Sequence, residues 1–581
     1  MIEFLAEISL SEKSTKFCDH IRTILSTSCP DNKISAFNDD AINISFVGNE
    51  RNFCKKIVGS KLYYCFANLT LEDEATVKAN TKNTDQGNIP TSELMLAYFL
   101  EFGSEGFSKL KNDFCFFLFD YDKKKISIYR DHVGLQNYYS LKEKGHIFLS
   151  SSFKNISSLP LKNFSLNHKK IRDFVNLKDF SKTNTFFNEV FKVAPGTEFH
   201  LTKESEESKE YSKLILTDLC ENKLIEKNLE VEFQKTVMTK QNKALDKVGF
   251  LFSGGLDSSS VLSMFDHHRA SNQKLYAFSA TFSNIDESIR HLIDETEYQK
   301  EVLNGKNIEN KSFSAERLTT LSDLDYYLKI LGQPFFFPNL YIPAKAFKEA
   351  KNNNINTVLN GNDGDSVLSH GYEYFVELFL SFRWLRLYKN IKETAIKRKK
   401  SKIFIFKRAV IDQLIFNGVF FSSARKRHEE VLLTSLHSNA IEIQSRIASF
   451  LGVKEHYPFY GKRFIEFCVS MPAKLKNKKG YSRYIFREAM KGILPEKLIL
   501  RGTKSNLGHA LCLNYRDIDK DLIDTHLNNP HEELKNIVDI GQLRIYWSEL
   551  LRNPRKFSTR SNIPSKLFAF VVMNRWLQLM D

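Results

Sequence analysis

The chain has 581 residues, too many for one compact hydrophobic core, so at least two domains are expected. A hydrophobic content of 42% and a charged content of 26% are ordinary for a soluble globular protein and exclude a chain without a sizeable core. The formal net charge of +15 suits an anionic partner such as a nucleotide, a nucleic acid or an acidic peptide, although charge spread over a large surface is more simply explained by solubility.

The N-terminal part, residues 1–205, is predicted to be strand-rich. Short apolar or alternating runs, among them NDFCFFLFDY, KKISIYR and HIFLSSS, are separated by turn residues. A further strand segment, FKVAPGTEFHLT, turns at Pro195-Gly196. The charged stretch that follows has no periodicity, and we predict a linker over residues 206–223.

From residue 224 to residue 581 the pattern changes. Strand-like KVGFLF and KLYAFSATFS alternate with longer helical patterns, which predicts a parallel sheet with helices on its faces. From about residue 373 the chain is predicted to be mostly helical. One segment there is densely basic, Lys397 to Lys400 with Lys402 close behind. No aromatic residues interleave with these cations, so a surface for single-stranded nucleic acid is not indicated. We expect a solvated helix end or loop and no nucleic-acid partner, with a peptide or nucleic-acid contact at this one segment as the minor alternative.

Export and membrane insertion are not indicated. The eight cysteines lie far apart without a CxxC pair, so neither a zinc knuckle nor a redox motif is expected. The N-terminal MIEFLAEISL has no basic region before an apolar stretch, unlike a signal peptide. IFIFKRAVIDQLIFNGVFF (403–421) contains Lys407, Arg408 and Asp412, which favours a buried helix over a membrane span. We expect a cytoplasmic protein.

The segment LFSGGLDSSSVL (251–262) has the composition of an anion-binding turn between a strand and a helix. Backbone N–H groups are free at such a turn, and the helix dipole favours an anion in front of them. Gly254 and Gly255 allow the backbone to approach closely, and Ser253 and Ser258 can add hydroxyl donors. The turn is therefore predicted to bind phosphate groups.

Asp257 lies within the same turn, where a carboxylate beside bare phosphates would be unfavourable. An acid at this place is explained if it holds Mg²⁺ bound to a pyrophosphate. The GK[ST] ending of a Walker A loop is missing. SGGLDSS instead resembles the PP-loop of the ATP pyrophosphatases, which cleave ATP between the α and β phosphates to adenylate a substrate.

Almost the whole chain resembles asparagine synthetases of the glutamine-hydrolysing type. LYAFSATF (275–282) resembles the strand that lines the adenine pocket, and Asp294-Glu295 with Tyr298 resembles the family's DE-x-x-Y. VLNGNDGDSVLSHGY (358–372) resembles the second phosphate-side loop, which ends in an acid. The resemblance implies that Asp365 shares Mg²⁺ with Asp257. It also assigns to the ATP site Leu251, Ser253, Gly254, Gly255, Ser258, Phe278 and Gly361.

GYSRYIFREAMKGILPEKLILRGTK (480–504) resembles the family's block of catalytic cations. Arg483 stands where a phosphate-contacting lysine is usual and keeps its charge. Lys504 stands at the lysine that stabilises the adenylate and the tetrahedral transition state. The resemblance thus implies a C-terminal PP-loop ATP pyrophosphatase domain with a parallel sheet and a helical extension, which uses ATP and Mg²⁺.

The N-terminal part resembles the class II glutaminase domain of the same enzymes, an αββα sandwich of the Ntn type. NDFCFFLFDYDKKKISIYRDHVGLQNYYS (112–140) matches GDFAFAL-D through RD-x-x-G-x-x-PLYY. That mechanism needs a cysteine directly after the initiator methionine. Ile2 occupies this place, and the nearest cysteine is Cys18. We therefore expect a domain that keeps the fold without hydrolysing glutamine.

Relatives without this cysteine include β-lactam synthetases and lasso-peptide cyclases, in which the amine and the activated carboxylate belong to one molecule. Asn362 stands where asparagine synthetases carry glutamate and β-lactam synthetases tyrosine, and Gly364 precedes Asp365. These features most resemble lasso-peptide cyclases, which close a macrolactam between a side-chain carboxylate and the N-terminal amine of a precursor peptide. The partners expected are that peptide, a leader peptidase and a leader-binding protein.

Two alternatives remain open. The first is an asparagine synthetase that uses free ammonia, and the second is a non-catalytic relative that binds a partner through the retained fold. No general base is evident from the sequence; Asp363 is the nearest candidate.

Overall fold

The structure is a computed structural model that describes residues 3–10, 17–81, 89–111, 113–161, 164–179, 181–219, 224–283, 285–417, 423–557 and 562–581. Within these residues, no helix combines the length and apolar character needed to cross a bilayer.

The N-terminal domain is a sandwich of two antiparallel six-stranded sheets, in the orders β10-β8-β9-β1-β3-β2 and β12-β11-β7-β6-β5-β4. Its strands are β1 (Phe4–Ser9), β2 (Ile34–Asn38), β3 (Ile42–Val47), β4 (Phe53–Val58), β5 (Lys61–Asn68), β6 (Cys115–Asp120), β7 (Lys125–Arg130), β8 (Tyr139–Glu143), β9 (His146–Ser150), β10 (Val190–Lys192), β11 (Thr197–Leu201) and β12 (Glu206–Glu210). Its helices are α1 (Cys18–Ser28), α2 (Leu71–Asn80), α3 (Thr91–Ser108), α4 (Phe153–Ser157) and α5 (His168–Val175).

Strand β1 shows why both faces of its sheet are buried. Phe4 and Ala6 alternate with Leu5, so the period of two sends them to opposite faces. Phe4 packs inside the sandwich, with its ring 5.0 Å from that of Phe66. Leu5 packs on the outer face, in the core shared with the second domain. The αββα sandwich predicted from the sequence is confirmed.

The linker predicted over residues 206–223 is wrong at its start, where the structure has a strand. Residues 206–210 form β12, which pairs with β11 in the register Leu201↔Glu206 to Thr197↔Glu210. All five residues of β12 are exposed, so the strand buries no apolar side chain and gives no hydrophobic alternation. It is held by main-chain pairing at a charged sheet edge, where charge also opposes edge-to-edge association.

The second domain contains a five-stranded sheet in the order β15-β14-β13-β16-β17, with every pair parallel. Its strands, with a short hairpin at the end, are β13 (Lys247–Leu251), β14 (Lys274–Thr281), β15 (Ile308–Ser314), β16 (Thr357–Asn360), β17 (Lys454–His456), β18 (Asn477–Lys478) and β19 (Tyr481–Ser482). The chain runs outward from β13 in one direction and returns to β16 on its other side. This reversal creates a crevice at the carboxyl ends of β13 and β16, the usual ligand position in open parallel sheets.

Helices surround this sheet and extend beyond it, as the sequence predicts. Two helices precede β13: α6 (Ile225–Val237) and α7 (Lys240–Lys243). The helices between β13 and β17 are α8 (Leu256–His268), α9 (Glu287–Ile293), α10 (Thr296–Leu303), α11 (Leu324–Leu331), α12 (Tyr341–Asn352), α13 (Gly364–Val367), α14 (Tyr372–Leu380), α15 (Trp384–Arg398), α16 (Lys402–Phe406), α17 (Asp412–Asn417), α18 (Ala424–Leu432) and α19 (Ser435–Phe450). After β17 come α20 (Lys462–Ser470), α21 (Ala473–Lys476), α22 (Tyr484–Ala489), α23 (Glu496–Ile499), α24 (Gly508–Asp517), α25 (Lys520–Asn528), α26 (Glu532–Lys535), α27 (Ile540–Arg552), α28 (Pro554–Phe557) and α29 (Ile563–Gln578).

The apolar segment 403–421 is helical through Asn417, as predicted, but it is only partly buried, since Ile403 is 82% exposed. A π-helical turn over Lys407–Ile411 joins α16 to α17. Ile405 and Val410 are buried against α14 and α15. Residues 418–421 of this segment lie outside the described residues.

The two domains share one continuous hydrophobic core. Phe187 of the first domain and Trp576 of α29 have ring centroids 5.8 Å apart, and the Trp576 indole N–H donates to the Gly332 carbonyl at 3.2 Å. Charges are buried at the same interface: Glu3 forms a 2.9 Å ion pair with Arg446 of α19, and both side chains are almost fully buried. The domains are therefore expected to behave as one rigid unit.

We expect Trp576→Ala to destabilise the whole chain, because it leaves a cavity between the domains. Truncation of a buried aromatic residue typically costs about 3–5 kcal/mol. Ile545→Ala on α27 is the matched control, since Ile545 is exposed and its loss should change stability by less than about 0.5 kcal/mol. Urea unfolding followed by circular dichroism measures both variants. Equal midpoints for the two would contradict this account of the interface.

Candidate active site

The turn between β13 and α8 is organised by its own serines. The Ser253 backbone N–H donates to Ser258 Oγ at 3.2 Å, and the Gly255 N–H donates to Ser253 Oγ at 3.1 Å. Gly255 is the N-cap of α8, and no side chain accepts a hydrogen bond there. The first N–H groups of α8 have no intrahelical acceptor, so the end of the helix can receive an anion.

A second loop, after β16, packs directly on this turn through glycines. A Cβ on Gly361 would lie 2.6 Å from the backbone N and Cα of Ser258. A Cβ on Gly364 would lie 2.9 Å from Asp257 Cβ. Side chains at either position would force the two loops apart, so glycine is required for their contact.

Between the loops lies a cavity of about 380 Å³, which we call the switch-point cavity. Of the residues assigned to the ATP site, Gly254 does not line it: its φ is +85° and a Cβ there would meet Gln299 Cγ at 2.9 Å. Gly254 therefore shapes the turn without lining the cavity. The remaining assigned residues all line the cavity: Leu251, Ser253, Gly255, Asp257, Ser258, Phe278, Gly361, Asp365, Arg483 and Lys504.

Asp257 is paired with Arg483. Arg483 Nη1 donates to both carboxylate oxygens at 2.6 Å, and the arginine is 5% exposed. Burial raises the pKa of Asp257, the guanidinium lowers it, and the nearby charge of Asp365 raises it again. Arg483 has a left-handed backbone with φ +55°, a strained conformation that is typical of functional positions.

Asp365 is paired with Lys504, whose Nζ donates to Asp365 Oδ2 at 2.8 Å. Burial opposes ionisation of this carboxyl, but Lys504, His370 and Arg483 outweigh it and hold the pKa of Asp365 well below its usual range. Lys504 itself is largely exposed, with 65% of its side chain accessible. Its flexible four-carbon side chain can therefore leave Asp365 and reach a ligand in the cavity.

The two carboxylates fit a magnesium ion that is shared with a phosphate ligand. Mg²⁺ is usually held by one or two carboxylates, with waters and phosphate oxygens completing an octahedron. Asp257 and Asp365 supply such hard oxygen ligands across the cavity and influence each other's charge. No cluster of three or more metal-ligating side chains occurs in the part of the chain that is described. The donor set thus suits Mg²⁺ with a phosphate and does not suit a structural metal.

Four further residues, Gln299, Glu295, Arg501 and Tyr298, lie around the turn, and their mutual contacts were not predicted from the sequence. Gln299 Nε2 donates to the carbonyls of Ser253 and Ala280, both at 3.1 Å. Glu295 forms a 2.7 Å ion pair with Arg501, whose guanidinium lies 4.0 Å from the Tyr298 ring centroid. The DE-x-x-Y motif is the signal that could have led to this set, because it contains Glu295 and Tyr298.

A second cavity of about 820 Å³ lies between the two domains, which we call the interdomain cavity. Glu455 of β17 and Tyr457 line it, whereas Asn360, Asn362 and Gln444 line the switch-point cavity.

Hydrogen bonds join these side chains into one layer, the polar wall. Asn360 and Gln444 donate to Glu455 Oε1, Tyr457 donates to Glu455 Oε2, and Asn362 donates to Gln444 Oε1 at 2.9 Å. Burial raises the pKa of Glu455 to about 7, against the lowering effect of the donors. Because Glu455 lines one cavity and its donors Asn360 and Gln444 line the other, the polar wall lies between the two cavities.

An asparagine synthase model matches residues 229–578, which is more than half of the chain. The chain belongs to the asparagine synthase family. A glutamine amidotransferase domain model matches residues 64–212, in the sandwich domain. This asparagine synthase family protein is accordingly an ATP-dependent amide-forming enzyme, and the two-domain fold predicted from the sequence is confirmed.

Its relatives are distant. The chain is 22% identical over 481 residues to the glutamine-hydrolysing asparagine synthetase 1 of Bacillus subtilis, covering 74% of this chain and 73% of that protein. It is 25% identical over 181 residues to the amidase chry2 of Gibberella zeae, covering 30% of this chain and 26% of that protein. Among solved structures, the glutamine phosphoribosylpyrophosphate amidotransferase of B. subtilis aligns with a TM-score of 0.26 at 11% identity, over 43% of this chain and 60% of that one.

Ile2, on which the expected loss of glutaminase activity depends, lies outside the described residues. The described free thiols, at Cys29, Cys54, Cys65, Cys115, Cys468 and Cys512, are all buried.

We expect Glu455→Gln to remove a pH dependence of stability. The unfolded chain ionises Glu455 near 4.5 and the folded chain near 7, so the folded state binds the extra proton between these values. Stability should therefore fall as the pH rises from about 4.5 to about 7, by about 3 kcal/mol, and then stay level. Glutamine keeps an acceptor for Asn360 and Gln444 and cannot ionise.

Urea midpoints measured from pH 5 to pH 8 test this. The variant should gain stability relative to the natural chain at pH 8 and little at pH 5. Glu297→Gln, at a side chain 86% exposed, is the matched control and should follow the natural chain throughout. A Glu455→Gln curve parallel to that of the natural chain would show that Glu455 is already ionised at pH 5 in the fold.

Proposed function

We propose that this protein is an AMP-forming macrolactam synthetase of the lasso-peptide cyclase kind. It would adenylate an Asp or Glu side chain of a precursor peptide and join it to the peptide's own N-terminal amine. The observation that supports the peptide's own amine as the nitrogen source is the polar wall. Because Glu455 and its donors lie between the two cavities, the amine is taken to enter with the carboxylate from the open side of the switch-point cavity.

The adenylation step uses the turn and the two ion pairs. A peptide carboxylate oxygen attacks the α-phosphorus of ATP, and pyrophosphate leaves towards the N-terminus of α8, where Ser253 and Ser258 can donate to it. Mg²⁺, when bound to Asp257 and Asp365, would neutralise charge on the phosphates. Arg483, released from Asp257, can pair with a phosphate oxygen.

The amide-forming step uses Lys504. The amine attacks the acyl carbon of the AMP ester, and the tetrahedral oxyanion that forms is stabilised by the exposed ammonium of Lys504. AMP then leaves with the bonding electron pair and the amide forms. Tyr460 donates to Asp363 Oδ2 at 2.7 Å and His437 Nδ1 lies 3.2 Å from Asp363 Oδ1, so both oxygens of Asp363 are engaged. The amine proton is therefore assigned to water and not to Asp363.

Two observations, one on a similar protein and one on the site, bear on the alternatives. The B. subtilis relative is an asparagine synthetase, which favours an enzyme that makes asparagine from free ammonia as the second candidate. A non-catalytic relative would gain nothing from two ion pairs converging on one cavity. Under the macrolactam proposal, the partners are the precursor peptide, a leader peptidase and a leader-binding protein.

We expect Lys504→Ala to slow product formation by about 10²-fold or more, because one oxyanion donor is typically worth about 3–4 kcal/mol. ATP affinity should change little, since the lysine acts mainly in the transition state. Lys497→Ala, which removes another exposed lysine of the same region, is the control. Steady-state kinetics with a separate ATP-binding titration measure both effects. Loss of ATP binding alone would place Lys504 in ground-state binding.

The amine source is tested directly by nitrogen labelling. Reactions receive ¹⁵N-amide glutamine, ¹⁵N-ammonia or a precursor peptide with a ¹⁵N-labelled N-terminus, and the product amide is examined by mass spectrometry. We expect label only from the peptide, together with AMP and pyrophosphate in equal amounts. Label from glutamine or ammonia would replace the macrolactam proposal with asparagine synthesis.

A further inference from the structure

Large apolar side chains are exposed along α15 and the start of α16. Leu385 is 89% exposed, Ile403 82% and Phe382 80%, and Trp384, Tyr388 and Ile396 are each more than half exposed. Clusters of this kind on a soluble chain mark interaction sites. We call this surface, residues 382–403, the α15 platform.

The aromatic part of the α15 platform is pre-organised. The Trp384 ring lies parallel to Phe382, with centroids 6.2 Å apart and planes at 18°, and to Phe379, at 6.5 Å and 7°. Phe382 has a left-handed φ of +57°, which is uncommon for an aromatic residue. Lys402 Nζ donates to the Tyr388 hydroxyl at 3.1 Å and ties α16 to α15. The exposed rings are therefore held in place before any partner binds.

The platform is also strongly basic. Glu393 is its one acidic residue, against nine cations: Arg383, Arg386, Lys389, Lys392, Lys397, Arg398, Lys399, Lys400 and Lys402. The dense basic run at 397–400 covers the last two residues of α15 and the two residues that follow, as the sequence predicts. Rings and cations together fit a partner that has both carboxylates and apolar side chains.

The position of α15 connects the platform to the chemistry. A Cβ on Gly480 would lie 2.4 Å from the Glu393 carbonyl oxygen, and one on Gly502 would lie 2.4 Å from that of Lys397. The end of α15 thus touches the backbone three residues before Arg483 and two before Lys504.

The exposed ring of Trp384 lies thirteen residues from Lys397 along the helix, about 20 Å at 1.5 Å per residue. An extended peptide covers that distance in about six residues.

We propose that the α15 platform binds an acidic segment of the polypeptide that carries the reacting carboxylate. This proposal rests on the macrolactam function and names where its substrate docks. The segment's apolar side chains would pack on Trp384 and Leu385, and its carboxylates would pair with the surrounding cations. A peptide held there can reach the switch-point cavity with the residues that follow. An anionic membrane would meet the same side chains, but the contact with the Lys504 loop favours a polypeptide.

Binding is measured first, with the full chain and without catalysis. The probe is a fluorescein-labelled 16-residue peptide of Glu, Asp, Leu and Phe, compared with the same peptide carrying Lys for every acid. We expect the acidic peptide to bind, more weakly at higher salt, and Trp384→Ser with Leu385→Ser to weaken it at least tenfold. Ile57→Ser, at a residue 69% exposed on β4, is the matched control. Equal affinity for the control and the platform variant would overturn the proposal.

A second pair of variants tests the charges. Lys389→Glu with Lys392→Glu should weaken the acidic peptide at least tenfold, whereas Lys61→Glu, an exposed lysine at the start of β5, should not. Vesicles of phosphatidylcholine and phosphatidylglycerol at 3:1 form a further arm. Binding to these vesicles that needs Trp384 and Leu385, without binding of the peptide, would assign the platform to a membrane surface and overturn the polypeptide proposal.

ATP–pyrophosphate exchange separates this proposal from the function on which it rests. With a peptide that is activated, platform variants should raise the KM for the peptide at least tenfold and leave kcat and the KM for ATP unchanged. If these variants catalyse exchange with an unchanged KM for the peptide, the docking proposal is wrong and the macrolactam function stands. Peptide binding that needs the platform, without peptide-dependent exchange, would overturn the macrolactam function and leave the docking surface.

Discussion

The close approach of two glycine-containing loops is the constraint on which the site depends. Gly361 and Gly364 allow the loop after β16 to lie against Ser258 and Asp257 with no room for a Cβ. Their contact brings Asp257 and Asp365 to one cavity. The two cations come from the far end of the chain, 226 residues from Asp257 in the case of Arg483. A local backbone requirement thus fixes where four charged side chains, distant in sequence, converge.

Helix α19 shows how the sandwich domain supports this site. On one side, Arg446 pairs with Glu3, and Glu442 bonds with Tyr139 and Lys192 of the first domain. On the other side, Gln444 reaches the switch-point cavity and forms part of the polar wall. The first domain therefore orients a wall residue through buried contacts that involve no glutamine chemistry. This is a physical reason for a synthetase to retain the domain whatever its own activity.

Local signals predicted much of the fold and the site. SGGLDSS after an apolar strand placed the turn, and alternating strand and helix patterns predicted the parallel sheet. Strand β12 was not predicted, because its five exposed residues show no alternation of apolar and polar side chains. Only its main-chain pairing shows that it is a strand. Two side-chain contacts were not predicted for another reason: the Glu295–Arg501 pair and the Gln444–Glu455 contact. Each joins side chains from separate elements whose meeting depends on the packed fold.

The position of the polar wall has a consequence for how the two cavities can communicate. One buried carboxylate with its donors divides a space of about 820 Å³ from one of about 380 Å³. Substitutions at Glu455 or at its donors would alter this layer and with it the separation of the two spaces. Under the proposed function, such a change would alter where the amine enters and leave the phosphate-binding turn untouched. The residues that separate the two cavities are thus distinct from those of the turn, so amine access and carboxylate activation can vary independently.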